Sequence, residues 1–76
     1  MTVRDLVDGD FDINCAWVIY DVTDGESWQD SPAVLQSHFT KYKNVSTQGT
    51  PEILNMKIVY MTLDVEHMAI VIEAKR

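Results

Sequence analysis

Lys57-Ile58-Val59-Tyr60-Met61-Thr62-Leu63 and Met68-Ala69-Ile70-Val71-Ile72-Glu73-Ala74, joined by Asp64-Val65-Glu66-His67, form the stretch on which the fold turns. Both outer runs are dense in Ile, Val, Tyr and Met, side chains that pack well on a pleated surface. The tetrapeptide between them reads as a turn, so strands Lys57–Leu63 and Met68–Ala74 are predicted to close as a hairpin. Each run is apolar on both faces: Ile58 and Tyr60 alternate with Val59, Met61 and Leu63, and Met68, Ile70 and Ile72 with Ala69 and Val71. A strand with two apolar faces needs cover twice. Short helices cover one face of a sheet, so the second is expected to be hidden by strong curling, by a partner protein or by a second copy, and a homodimer is expected.

Working outward, Thr50-Pro51-Glu52 is a helix-start pattern with Pro at the first helical position, which predicts a short helix near residues 51–55 carrying Ile53 and Leu54, with Met56 just after it. Upstream, Phe11, Ile13, Cys15, Trp17 and Ile19 repeat with period two, which predicts a strand over Phe11–Val22. Thr23-Asp24-Gly25-Glu26 is a tight-turn tetrapeptide whose Asp-Gly suits positive φ, so a second strand is expected to return through Ser27 and Trp28. Ser31-Pro32 leaves two readings for residues 33–42: a helix carrying Leu35, Phe39 and Tyr42, or a strand over Ala33–Phe39, the preferred one. Lys41–Gln48 reads as a polar loop. At the N-terminus Thr2 and Asp5 have capping-box spacing, and Val3, Leu6 and Val7 share a helical face before Gly9. These elements predict a single α+β domain over residues 1–76, built on a small antiparallel sheet of four or five strands with two short helices.

A chain of 76 residues has room for one modest core. Its 46% hydrophobic content is too high for an acidic disordered tail. Cys15 is the one cysteine, which excludes an internal disulfide and suits a reducing compartment. With no secretory h-region near the start and no long apolar run, the expected location is the cytoplasm and no membrane role is expected.

The charge is lopsided along the chain. Residues 1–40 carry eight acids and one base, and residues 41–76 carry four acids and five bases. A net charge of −6 repels phosphate, so direct nucleic-acid binding is not expected even though Trp17 and Trp28 could stack on bases. Asp8, Asp10, Asp12 and Asn14 alternate as in the opening of a calcium loop, but Ile13 and Ile19 stand where such a loop needs Gly and Glu. Cys15, His38 and His67 lack chelating spacing, so no metal and no cofactor is expected. Cys15 alternates with Ile13 and Trp17 and reads as a core thiol, and no serine sits in a nucleophile elbow. Enzymatic activity is therefore not expected.

Ile19-Tyr20-Asp21-Val22-Thr23-Asp24-Gly25-Glu26-Ser27-Trp28 and Pro51-Glu52-Ile53-Leu54-Asn55-Met56-Lys57-Ile58-Val59-Tyr60-Met61-Thr62 resemble small proteins carried on phages and conjugative elements of Gram-positive bacteria. The likeness spans roughly residues 2–74, and its residues are structural. The resemblance implies a mobile-element context in which small acidic anti-CRISPR proteins occur, many of which block a nucleic-acid-binding effector stoichiometrically.

Charge and resemblance together give the expected function: a non-enzymatic inhibitor or interaction protein whose partner is a protein with a basic surface, such as a Cas nuclease. Asp8, Asp10, Asp12, Asp21, Asp24, Glu26 and Asp30 would supply the charge and Trp28 an anchor. The alternative is a small dimerising accessory domain whose acidity is incidental and whose apolar sheet face makes the contact.

Overall fold

A computed structural model describes residues 1–8, 15–37 and 45–76. Helix α1 (Val3–Asp8) precedes strand β1 (Ala16–Asp21), which a connection containing a 3-10 turn (Trp28–Asp30) joins to β2 (Ala33–Gln36). Helix α2 (Pro51–Leu54) then leads to β3 (Lys57–Asp64) and β4 (Ala69–Lys75). The fold is α+β, with a four-stranded sheet in the order β2-β1-β4-β3.

The sheet is mixed. β1 pairs antiparallel with β2, and β3 with β4, but the central pair β1–β4 is parallel, with Trp17 opposite Ile70 and Ile19 opposite Ile72. This central pairing corrects the expectation of an antiparallel sheet and also explains the apolar pattern of β4. At this central position both sheet faces are covered, by the helices on one side and by Trp28 of the β1–β2 connection on the other, and Ala69, Val71, Ile72 and Ala74 are all buried. β3 has the same apolar content but lies at the edge.

Both helices pack on one face. Val3 and Leu6 from α1, Ile19 from β1, Leu35 from β2, Met56, and Ile72 and Ala74 from β4 form one core cluster, with Ile53 and Leu54 of α2 against it. The other face holds Val18, Tyr20, Val22 and Val71, with Trp28 and Ala33 packed on them. Fully burying a side chain such as Ile19 or Ile72 contributes about 1.5–3 kcal/mol, so these clusters carry most of the driving force.

Local chemistry sets the helix starts. The Thr2 amide donates to Asp5 Oδ2 at 2.9 Å while the Asp5 amide donates to Thr2 Oγ1 at 3.3 Å, the reciprocal pair that satisfies two orphan donors. Hydrogen bonding to Thr2, first its amide and then its side chain, holds the Asp5 carboxyl below its ordinary pKa. Thr50 caps α2, accepting from the Ile53 amide at 3.3 Å, with Pro51 in the first turn. Val7, expected on the buried face of α1, is exposed, because a helix this short turns only Val3 and Leu6 inward.

The tight hairpin expected at Thr23–Glu26 does not form. Among the described residues no glycine has positive φ, and Ser27 and Trp28 belong to the 3-10 turn rather than a strand. Gly25 serves close approach instead, since a Cβ there would lie 2.6 Å from Ser31 Oγ. Ser27 caps the turn by accepting from the Gln29 amide, and the Trp28 amide donates to Glu73 Oε2 of β4 at 3.0 Å. The returning strand is β2, so the strand reading of residues 33–42 holds over Ala33–Gln36. At its end Ser37 takes up both main-chain groups of Trp17, donating its amide at 3.0 Å and accepting at Oγ at 3.1 Å. The N-terminal part of the Phe11–Val22 strand, and Phe39 and Tyr42, lie outside the described residues. Among the described residues no helix is long and apolar enough to cross a membrane.

Candidate interaction surface

The expected acidic surface is only partly assembled. Asp21 ends β1, and the parallel pairing sets it opposite Ala74, so the chain-end bases Lys75 and Arg76 arrive at the acidic end of the sheet. Arg76 Nε meets Asp21 Oδ2 at 3.2 Å, and its Nη1 meets Glu52 Oε1 at 2.6 Å. The Thr23 amide and hydroxyl donate to Asp21 Oδ1 at 3.0 and 2.5 Å. Burial pushes the Asp21 pKa up, but the Thr23 hydrogen bonds and Arg76 outweigh it, and the net shift is down. Asp21 is therefore a structural carboxylate.

Asp8 is exposed and stands 4.0 Å from Arg4 one helical turn away. Asp10 and Asp12 lie outside the described residues, as does all of the calcium-like stretch beyond Asp8. Asp24, Glu26 and Asp30 are exposed on the β1–β2 connection and, among the described residues, make no ion pair. Trp28 is half-buried, its ring 5.4 Å from that of Tyr20 at a 52° tilt, so it anchors the connection more than it offers a free contact. Among the described residues, charge that is one-sided along the sequence is thus mixed in space around Asp21.

Among the described residues carboxylates line one recess, and one group of metal-type ligands converges in the β3–β4 turn. A recess of about 130 Å³ is lined by Asp21, Asp24, Gly25, Asp30, Ser31 and Pro32. Its best-placed carboxylate, Asp21, is already committed to Thr23 and Arg76. In the β3–β4 turn, Asp64, Glu66 and His67 bring ligand atoms within 4.8 Å of one another, a grouping the sequence reading did not single out. There His67 Nδ1 is engaged with Asp64 Oδ2 at 2.7 Å, which ties the turn together. Cys15 is half-buried, its Sγ 3.8 Å from the Met68 carbonyl oxygen, and His38 lies outside the described residues.

The largest concentration of unpartnered chemistry is apolar. Val59, Tyr60, Met61, Leu63, Val65 and Met68, all on β3 or the turn after it, are between 44% and 69% exposed. The register places Met61 opposite Ile72 and Leu63 opposite Ile70, so these two side chains share the helix-bearing face yet lie beyond the core. Tyr60 and Thr62 occupy the other face, opposite Glu73 and Val71. Natural edge strands are usually blunted by charge, proline or short length. Tyr60-Met61-Thr62-Leu63 has no charged residue and no proline.

The start of the edge is covered. The Ile58 amide donates to the Met1 carbonyl at 2.9 Å, and Thr2 forms an antiparallel bridge with Lys57. A β-bulge between Ile58 and Tyr60 follows. Beyond it, from Tyr60 to Asp64, β3 pairs only with β4 among the described residues. At the other edge of the sheet, the β2 residue Gln36 donates its amide to the Ser46 carbonyl at 3.2 Å, so that edge is partly occupied.

No protein-family model matches the chain, and neither the curated proteins nor the solved structures give a significant match.

Proposed function

We propose that this chain is a non-enzymatic interaction domain that works by contact, and that its contact surface is the outer edge of β3 with the apolar side chains around it. The observation that carries the reading is the concentration of exposed Val59, Tyr60, Met61, Leu63, Val65 and Met68 along one open strand and its turn. Contiguous apolar patches on soluble proteins mark interaction sites, and an open edge adds main-chain hydrogen bonds to the apolar contact. The partner is a protein, in keeping with a small dimerising or accessory domain; net charge −6 disfavours nucleic acid and anionic lipid.

A second reading keeps the acidic contact. Asp24, Glu26 and Asp30, exposed and free of ion pairs among the described residues, would meet a basic nucleic-acid-binding groove of an effector nuclease, the mode of an anti-CRISPR protein from a mobile element. It is favoured by those three side chains alone, since Asp21 and Asp8 have cationic neighbours.

Comparing retained proteins from a host lysate separates the two. With Met61→Lys and Leu63→Lys in one variant and Asp24→Lys, Glu26→Lys and Asp30→Lys in another, the first reading predicts that specific retention disappears only in the first. It also predicts weak dependence on salt. Loss confined to the charge-reversed variant, with steep salt dependence, would overturn it in favour of the acidic contact.

A further inference from the structure

We infer that the occupant of the β3 edge is a second copy of this chain, paired antiparallel to it about a two-fold axis at Thr62, so that two four-stranded sheets become one of eight strands. The inference rests on the reading of β3 as the contact surface and adds the partner and the register.

Three features fix the register. First, Met1 and Thr2 occupy the outer side of Ile58 and Lys57 and the bulge follows, so the edge open to a partner runs from Tyr60 to Asp64. The midpoint of that stretch is Thr62. Second, directly opposed residues of an antiparallel pair share a face, which requires a two-fold axis at a residue rather than between residues. With the axis at Thr62, Met61 of one copy opposes Leu63 of the other and the reverse, both on the helix-bearing face where they are exposed. Thr62 opposes itself, a favourable cross-strand pair, and about four to six inter-chain main-chain hydrogen bonds form.

Third, charge selects the orientation. Exposed Lys57 and Lys75 oppose one another at the open end of the β3–β4 hairpin, a like-charge pair. Exposed Glu66 marks the turn end as acidic, beside Asp64, which His67 engages. Antiparallel docking brings the basic end of each copy alongside the acidic turn of the other. Parallel docking would set like on like. The same orientation brings Val65 of the turn toward Val59 of the second copy, giving both exposed side chains apolar neighbours. The interface is isologous, so one set of residues serves both partners.

Sedimentation equilibrium of the full chain, combined with two substitutions at Thr62, tests this. The expected wild-type mass is twice 8.7 kDa. Thr62→Lys places two ammonium groups face to face and is expected to weaken the dimer by about tenfold or more while circular dichroism stays unchanged. In a Cys15→Ser background, Thr62→Cys is expected to form an inter-chain disulfide, since opposed Cα atoms in an antiparallel pair lie about 4.5–5.5 Å apart. Leu63→Cys in the same background is not, because this register separates the two copies of residue 63 by roughly 8 Å. A wild-type chain that stays at 8.7 kDa at millimolar concentration would overturn the self-pairing, leaving the β3 contact to be judged by the lysate comparison. A dimer indifferent to Thr62→Lys, or cross-linked through residue 63 and not 62, would overturn it as well.

Discussion

The Ile58 amide and the Met1 carbonyl, 2.9 Å apart, mark where chain cover on β3 gives way to open edge. Before that bond the strand is paired on both sides; after it the backbone turns through a bulge and faces outward. The position of the cover depends on α1, because the Thr2–Asp5 capping box fixes how residues 1–3 leave the helix and reach β3.

Thr2→Ala removes one half of that capping box. The expected cost is about 1 kcal/mol, the usual worth of such a cap. Urea denaturation measures it. Amide exchange at Ile58 is expected to accelerate well before exchange at Ile72, since local opening releases Met1 and Thr2 without opening the core.

Core and edge positions of the same sheet should respond very differently to truncation. Ile72, fully buried between both neighbouring strands, is expected to lose about 2–5 kcal/mol as Ile72→Ala. Met61, its opposite residue on β3, is 44% exposed, and Met61→Ala is expected to cost less than about 1 kcal/mol in dilute solution. Thermal or denaturant unfolding at micromolar concentration checks both.

Asp21 makes stability depend on acid. Its folded pKa is depressed, so its contribution is fully present above the unfolded value, about 3.9, and is lost as pH falls through the lower folded value. Below that pH the proton breaks the Arg76 pair and the acceptor role toward Thr23. Asp21→Asn is expected to lower stability at neutral pH and to flatten its fall between about pH 4 and the acid limit. Urea midpoints measured across that range read the effect.

Met68 closes the β3–β4 turn with φ of 51°, in the left-handed region that side chains other than Gly and Asn adopt at a cost of about 1–2 kcal/mol. Because Met68 is 68% exposed, little packing is lost on replacing it. Met68→Asn is expected to raise the unfolding midpoint, by an amount equivalent to about 1 kcal/mol or less.

Much of this fold is legible in the amino-acid order. The Thr2–Asp5 spacing and the Thr50-Pro51 helix start are local signals that sit where their residues place them, and the turn expected at Asp64–His67 falls one residue later, since Asp64 ends β3 and β4 starts at Ala69. The two-faced apolar pattern of residues 68–74 was legible as a need for double cover, but the strand that makes β4 central, β1, is some fifty residues upstream and pairs in parallel. No short-range pattern encodes that partnership. The β1–β2 connection misled for a related reason: Asp24-Gly25 has hairpin composition, yet the Glu73 carboxylate from β4 draws Trp28 onto Tyr20 and lengthens the turn. The same long-range pairing carries Arg76 to Asp21 and so sets a base from the other end of the chain beside one of the N-terminal acids. That β3 rather than β4 would stand at the edge, with its apolar residues outward, followed only once strand order was known.

Amide hydrogen exchange across residues 60–64, followed at micromolar and at millimolar protein concentration, tests the role of β3 most directly. If this edge is where the chain meets its copy, the outward amides in that stretch exchange freely when dilute and become protected at high concentration, while those of Ile70 and Ile72 hardly change. Protection of residues 60–64 that is the same at both concentrations, or concentration-dependent protection confined to residues 24–30, would contradict it.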